Sequence, residues 1–259
     1  MAGGVETRRA FVTGGNRGIG AEIAVRLAQE GADTAICYLE GDDEAESVAS
    51  RIRAAGRRAL AVRTDLRDPA RIRATMARVE AELGGIDILV NNAGIVRVAP
   101  FLELSLADWT DVLDTNLRAA FLCSQIAGRG MAARGYGRII HISSTFSQVT
   151  VPHVTPYSVS KAGLAMLAKT MAVELGPMGI TVNCVGPSTI RTQLNAAMLD
   201  RDNMEAREAA LNPTRRIGRP EDIASMVAFL ASEQAGWVNG QNIIVDGGLT
   251  ALSPQPAYE

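Results

Sequence analysis

The stretch Thr13-Gly14-Gly15-Asn16-Arg17-Gly18-Ile19-Gly20 stands between two unlike patterns. Before it, Arg9–Thr13 is a short apolar run of strand length. After it, Ile19–Glu30 carries apolar Ile23, Ala24, Leu27 and Ala28 at the spacing of one helix face. Gly31 follows, where glycine closes a helix. The glycines between the two patterns let the chain turn sharply and let an anion approach bare backbone. The helix that opens there offers unpaired N–H groups and a positive dipole end, which together suit a phosphate. The spacing is G-x-x-x-G-x-G, not the commoner G-x-G-x-x-G, so the strand–turn–helix setting carries the dinucleotide reading.

The same alternation continues outward. Strands are expected at Thr34–Tyr38, Arg58–Arg63, Ile86–Asn91, Arg138–Ser143, Ile180–Val185 and Asn242–Asp246. Helices are expected at Asp43–Ala55, Pro69–Leu83, Leu106–Gly130, Tyr157–Leu175 and Glu221–Ala231, with Asp68 as an N-cap before Pro69. Each parallel crossover needs a helix, so the chain reads as α/β: a Rossmann-like, doubly wound sheet of about seven parallel strands with helices on both faces. With 47% hydrophobic but only 4% aromatic residues, its core is aliphatic. Residues 1–259 read as a single domain, with a lid over about 188–214 and a loose polar tail at Ser253–Glu259.

Composition narrows the function. A formal net charge of −2 and the lack of a basic stretch argue against nucleic-acid binding. The run Arg51–Arg58 reads as the solvated end of a helix. Cys37, Cys123 and Cys184 are far apart, in apolar settings and without metal-ligand spacing, so they read as buried free thiols, and no metal is expected. No stretch reaches the roughly 18 apolar residues of a membrane span, and the N-terminal residues lack a signal-peptide run. A cytoplasmic protein is expected.

Further motifs follow in order: Asp65-Leu66 after the third strand, Asn91-Asn92-Ala93-Gly94 after the fourth, Asn116, Ser144, Tyr157-Ser158-Val159-Ser160-Lys161, and Asp246-Gly247-Gly248. Together with the glycine turn, this set resembles the short-chain dehydrogenase/reductase family along almost the whole chain. The resemblance implies hydride transfer between a nicotinamide dinucleotide and a carbonyl or alcohol. It makes Tyr157 the general acid/base. Lys161 would favour its phenolate and hold the nicotinamide ribose, Ser144 would polarise the substrate oxygen, and Asn116 would hold a water that relays protons. These residue types suit the chemistry: a ketone taking up hydride needs a proton at oxygen, and tyrosine is a weak acid with a reference pKa of about 10. Tyr157 and Lys161, four apart on a helix, share one face.

The resemblance also implies a cofactor set: Gly14, Asn16, Arg17, Gly18, Ile19, Gly20, Tyr38, Asp65, Leu66, Asn92, Ala93, Gly94, Tyr157, Lys161, Pro187, Ser188, Ile190 and Thr192. Asp65 would bond the adenine amino group. Tyr38 stands where NAD users carry an acid, and Arg17 resembles NADP users, so NADP(H) is favoured. NAD(H) stays open, because Leu39-Glu40-Gly41-Asp42-Asp43 supplies three acids and no second cation. Ser188 replaces a glycine usual in the family, which leaves the local backbone open. Ser144, Phe146, His153 and Tyr157 are the candidate substrate residues, whereas His141 reads as a satisfied core residue.

The lid segment Asn195–Pro213 mixes Met198, Leu199, Met204 and Leu211 with charges and does not name a substrate. Ketone or 3-oxoacyl thioester reduction comes first. A sugar or polyol dehydrogenase is the rival enzyme, and a cofactor-binding redox sensor the rival of another class. Relatives are commonly homotetramers, so a homotetramer built on the long helices and on the last strand near Trp237 is expected.

Overall fold

The computed structural model describes Val5, residues 7–193 and residues 195–252; the tail read at Ser253–Glu259 lies outside them. The strands are β1 (Arg9–Thr13), β2 (Asp33–Tyr38), β3 (Ala59–Arg63), β4 (Ile88–Asn91), β5 (Gly137–Ile142), β6 (Ile180–Pro187) and β7 (Asn242–Val245). They form one parallel sheet in the order β3-β2-β1-β4-β5-β6-β7. The chain enters at the middle, winds out to β3, then returns past β1 to β4. That reversal opens a crevice at the carboxyl edge between β1 and β4, where ligands bind in open α/β sheets.

Alternate strand residues feed two aliphatic cores. Val12, Ile36, Val90 and Ile142 pack with Ile23, Val48 and Val227 under α1 (Gly18–Gln29), α2 (Asp42–Ala54) and the late helix Pro220–Ala231. Phe11, Leu89, Ile139 and Val182 pack with Ile72, Met76, Met131 and Ala168 on the other face. The latter residues come from α3 (Pro69–Leu83), α5 (Ala119–Arg134) and α6 (Thr155–Leu175), with α4 (Leu106–Leu113) leading into α5. Between β6 and the late helix lie α7 (Ala196–Leu199) and α8 (Met204–Leu211), which makes Pro220–Ala231 α9. All three cysteines are buried and free.

Local chemistry sets the helix ends. The Asp68 carboxylate accepts from Ala70 N at 2.8 Å, with Pro69 in the first turn, and Gly84 closes α3 at φ 88°. The helix expected at Leu106–Gly130 is in fact interrupted: a π-helical turn, Asp114–Arg118, joins α4 to α5, and α5 runs on through Gly130 to Arg134. A π-turn takes one extra residue into a single turn, a local change that a helix-wide reading of apolar spacing does not place. Gly135, at φ 67°, supplies the left-handed cap that Gly130 does not. α6 begins at Thr155, because Pro156 suits a first helical turn. β6 continues to Pro187, paired with Val245 at the end of the ladder.

Two charged features differ from expectation. The Arg51–Arg58 run is not simply solvated: Arg51 forks onto Glu22, Arg53 meets Glu46, and Arg57 and Arg58 both pair with Asp33. At the sheet's amino edge, Asp87 is buried with its carboxylate against Arg9 Nε and Nη2, both at 2.7 Å, and Arg134 Nε at 3.3 Å. Its backbone also bonds Arg9 O and Arg138 N, so one residue joins β1, β4, β5 and the end of α5. Burial works against the Asp87 charge, yet the two arginines hold its carboxyl below the usual carboxylate range.

Candidate active site

The glycine turn is built for close approach. A Cβ on Gly20 would lie 2.1 Å from the Gly14 carbonyl oxygen, and one on Gly15 would lie 2.6 Å from Ile36 Cγ2. Gly14 and Gly18 sit at φ 62° and 55°, in the left-handed region. α1 opens without a side-chain cap, unlike α3 with its Asp68, and has no acid in its first turn, so its N–H groups remain available to an anion. Asn92 Nδ2 donates to the Thr13 and Gly14 carbonyls at 3.0 and 2.9 Å, tying the β4 loop to the glycine turn. Asn16 Nδ2 donates to Glu40 O at 2.8 Å, tying that turn to the loop after β2. Leu66 and Ala93 line a crevice with Thr13 and Thr115. The Asp65 carboxylate is engaged by Arg67, whose guanidinium holds it below the usual carboxylate range.

The other expected residues meet at the same edge. Ser144 follows β5, and burial pushes the Tyr157 phenol above its ordinary value, while hydrogen bonding to the Ser144 hydroxyl works the other way. Phe146 packs edge-on against Tyr157, with ring centroids 6.1 Å apart. Lys161 is buried; its Nζ donates to Ile142 O at 2.7 Å and lies 5.4 Å from the Tyr157 ring centroid. Burial brings the Lys161 ammonium down to about 8. Asn116 lies in the π-turn, and its side chain is spent locally: Oδ1 accepts from Ile95 N, and Nδ2 donates to Ile95 O and Ser160 Oγ. A Cβ on Gly94 would stand 3.4 Å from Asn116 Oδ1 and 3.5 Å from Lys161 Nζ, so bare backbone covers this floor. A free helix N-terminus, a glycine cradle and a buried cation fit a dinucleotide laid along the edge.

The remaining candidates lie around this centre. Ser188 adopts no left-handed backbone, and its Oγ donates to Asp246 O at 3.4 Å. Ile190 bridges to Gly218, and Thr192 lies against Gly18, held by Asn195 Oδ1. Tyr38 ends β2, half-buried. His153 is exposed in the turn before α6, at φ 72°. Above them, Arg191 meets both Asp200 and Glu205, and Thr189 Oγ1 meets Glu208, so an ionic clasp seats α7 and α8. Leu199 packs inward, while Met198 and Leu211 stay exposed.

Sequence reasoning missed a buried polar layer beneath Lys161. Asn91 Nδ2 contacts Ser124 Oγ at 3.0 Å and His141 Nδ1 at 3.1 Å, while His141 Nε2 and Asn91 Oδ1 have no partner among the described residues. His141 is therefore core but only half satisfied, which corrects its reading as a fully partnered residue. Burial, then the Lys161 charge, brings its pKa from 6.5 to about 4. The unfolded chain takes up this proton near pH 6.5 and the fold only near 4, so stability present above 6.5 is lost across that window as pH falls. His141→Asn should remove this dependence. Relative to the variant, the wild type should lose up to about 3 kcal/mol between about pH 7 and 4 in urea titrations. A difference that stays constant with pH would show that His141 is charged in the fold.

Comparison with known proteins agrees with this architecture. A family model described as Enoyl-(Acyl carrier protein) reductase matches residues 14–250. A 3-oxoacyl-[acyl-carrier-protein] reductase of Staphylococcus aureus is 40% identical over 245 residues, covering 94% of this chain and 98% of that protein. The cis-4-hydroxycyclohexanecarboxylate dehydrogenase of Sinomonas cyclohexanicum is 42% identical, covering 95% and 97%. A gluconate 5-dehydrogenase from Burkholderia cenocepacia, solved with NADP and tartrate, superposes with a TM-score of 0.89 at 37% identity, covering 96% and 97%. Length, fold and identity thus coincide, and the chain belongs to the short-chain dehydrogenase/reductase family, as an oxidoreductase that interconverts carbonyl and alcohol groups.

Proposed function

We propose that this protein reduces a ketone to a secondary alcohol with NADPH, and runs the reverse with NADP. The observation that carries the reading is the convergence of Ser144, Tyr157 and buried Lys161 at the carboxyl edge, beside an uncapped helix N-terminus. The bound nicotinamide supplies or accepts the hydride. Gly14, Asn16, Arg17, Gly18, Ile19 and Gly20 would seat its pyrophosphate and ribose. Asp65, Leu66, Asn92, Ala93 and Gly94 would take the adenosine side, and Pro187, Ser188, Ile190 and Thr192 the carboxamide side.

Tyr157 donates the proton to the substrate oxygen. Its raised pKa keeps it a phenol, and therefore a donor, at neutral pH. Ser144 orients that oxygen by hydrogen bonding. Lys161 holds the ribose side and, while it is an ammonium, stabilises any phenolate left on Tyr157. Asn116 fixes the floor, so that protons return through Lys161. Phe146, edge-on against Tyr157, would give the substrate an apolar contact beside the proton donor, and His153 lies exposed in the turn before α6.

The relatives' names share one chemistry on different bodies: 3-oxoacyl thioester, hydroxycyclohexanecarboxylate, gluconate, and acetoin for a Salmonella typhimurium structure. Each has a secondary alcohol paired with a ketone, which supports that group as the reactive one. NADP-bound neighbours and Arg17 support NADPH over NADH. We read the chain as one domain with a lid at 188–214. We also read it as a cytoplasmic homotetramer, with free thiols suited to a reducing compartment and apolar Phe121, Met166 and Trp237 exposed on the expected interfaces. Among the described residues, no helix is long and apolar enough to cross a membrane, and no acid, cysteine and histidine cluster could hold a metal.

The test follows nicotinamide absorbance with NADPH and NADH against cyclic ketones, 3-oxoacyl thioesters and keto-sugars. Turnover of a ketone with NADPH preferred is expected. Arg17→Ala should weaken NADPH by about tenfold and NADH far less, as loss of one charge-assisted phosphate contact does. Equal losses for both cofactors would remove Arg17 from the discrimination.

A further inference from the structure

Two arginines from different elements stand at the carboxyl edge by the turn after β2: Arg63 lies beside Tyr38, and Arg17 follows Asn16, which is tied to that turn. Arg17 opens α1, exposed and without a carboxylate partner among the described residues. Arg63 ends β3, directly beside Tyr38 in the parallel register, and is also exposed. Its Nε donates to Leu39 O at 2.9 Å, which fixes the guanidinium at the turn after β2. Its Nη1 and Nη2 have no protein partner among the described residues.

Neighbouring arginines behave differently. Arg51, Arg53, Arg57, Arg58 and Arg67 are each taken up by an acid. Arg63 has Glu40, Asp42, Asp43 and Glu44 just across the turn, yet pairs with none of them. Those acids have another place: Asp42, Asp43 and Glu44 form the first turn of α2, where the helix dipole favours negative charge. The Asp42 carboxylate adds to burial in raising the Tyr38 phenol above its ordinary value, and the Glu44 carboxylate folds against Gly41, where an added Cβ would meet Oε2 at 2.7 Å. Asn16 holds the Glu40 carbonyl, so the turn after β2 is braced from the glycine loop.

We propose that Arg63 is the second cation, after Arg17, of a phosphomonoester site on the adenosine ribose. This rests on the NADP reading above, and it answers the sequence expectation that the turn after β2 lacks a second cation. That cation comes from the adjacent strand, which the local sequence of the turn does not contain. A planar guanidinium with both terminal nitrogens free matches two phosphate oxygens at once, whereas a ribose hydroxyl offers it no charge to bind.

The test is calorimetric titration with adenosine 2′,5′-bisphosphate and with adenosine 5′-monophosphate, for wild type, Arg63→Gln and Arg63→Lys. The wild type should prefer the bisphosphate. Arg63→Gln should bind it about tenfold more weakly, with monophosphate affinity unchanged and a shallower salt dependence, and Arg63→Lys should fall between. Unchanged bisphosphate affinity in Arg63→Gln, with the wild-type preference intact, overturns the role of Arg63 and leaves the NADP reading to Arg17. A wild type with no preference for the bisphosphate overturns the NADP reading itself, and the proposal with it. Equal losses for both ligands overturn the phosphate contact and make Arg63 a brace for the turn.

Discussion

Replacing Tyr157 by Phe should lower kcat for ketone reduction by about a thousandfold, within the range a positioned general acid supplies. The variant loses one hydroxyl and keeps the ring that packs against Phe146, so the fold and the cofactor cradle stay as they are. Cofactor affinity, read by fluorescence titration, should therefore remain within about twofold, the scale of one modest hydrogen bond. In the wild type, activity should decline as pH rises through about 8, where Lys161 loses its proton and the site its buried cation. A Tyr157→Phe enzyme keeping more than about a tenth of wild-type kcat would remove the proton-donor role, because that loss is below what general-acid catalysis contributes.

Asp87→Ala should be the most damaging change far from the chemistry. The carboxylate is buried, while Arg9 and Arg134 keep 24% and 33% of their side chains in water. The cost should therefore sit at the low end for a broken buried pair, about 3 kcal/mol. For a chain of this size, that lowers the melting temperature by about 10 °C. Because the folded pKa of Asp87 is depressed, this stability is present above the unfolded carboxyl pKa and lost as pH falls through the folded one. Wild type and variant should thus converge in acid. Below the melting range, kcat per folded molecule should be unchanged. A loss under about 1 kcal/mol would mean that the pair contributes no more than a surface ion pair.

The parts of this fold that sequence made readable are those with a strong local signal. The glycine turn, the Asp68–Pro69 helix start and the alternation of apolar runs each have a local physical cause, and the seven-stranded parallel sheet follows from them. Ser144, Tyr157 and Lys161 were legible through the resemblance, and the structure brings them together. What stayed hidden was set by contacts distant in sequence. The two orphaned atoms beside His141 depend on Asn91, fifty positions away on a neighbouring strand. The π-turn that carries Asn116 is a one-turn irregularity that helix-wide spacing does not locate, and Arg63 reaches the turn after β2 only because β3 lies alongside β2. The Asp87 clamp joins elements that the chain visits at widely separated points.

That clamp lies at the amino edge of the sheet, whereas Ser144, Tyr157 and the Arg191-seated helices lie at the carboxyl edge. Changes at the two ends share no partners, so their free-energy effects should add. The fold thereby separates robustness from novelty: residues at the carboxyl edge can change while the anchorage at the far end goes on specifying the scaffold. A lineage built this way can diversify its chemistry without first acquiring a stability reserve to spend.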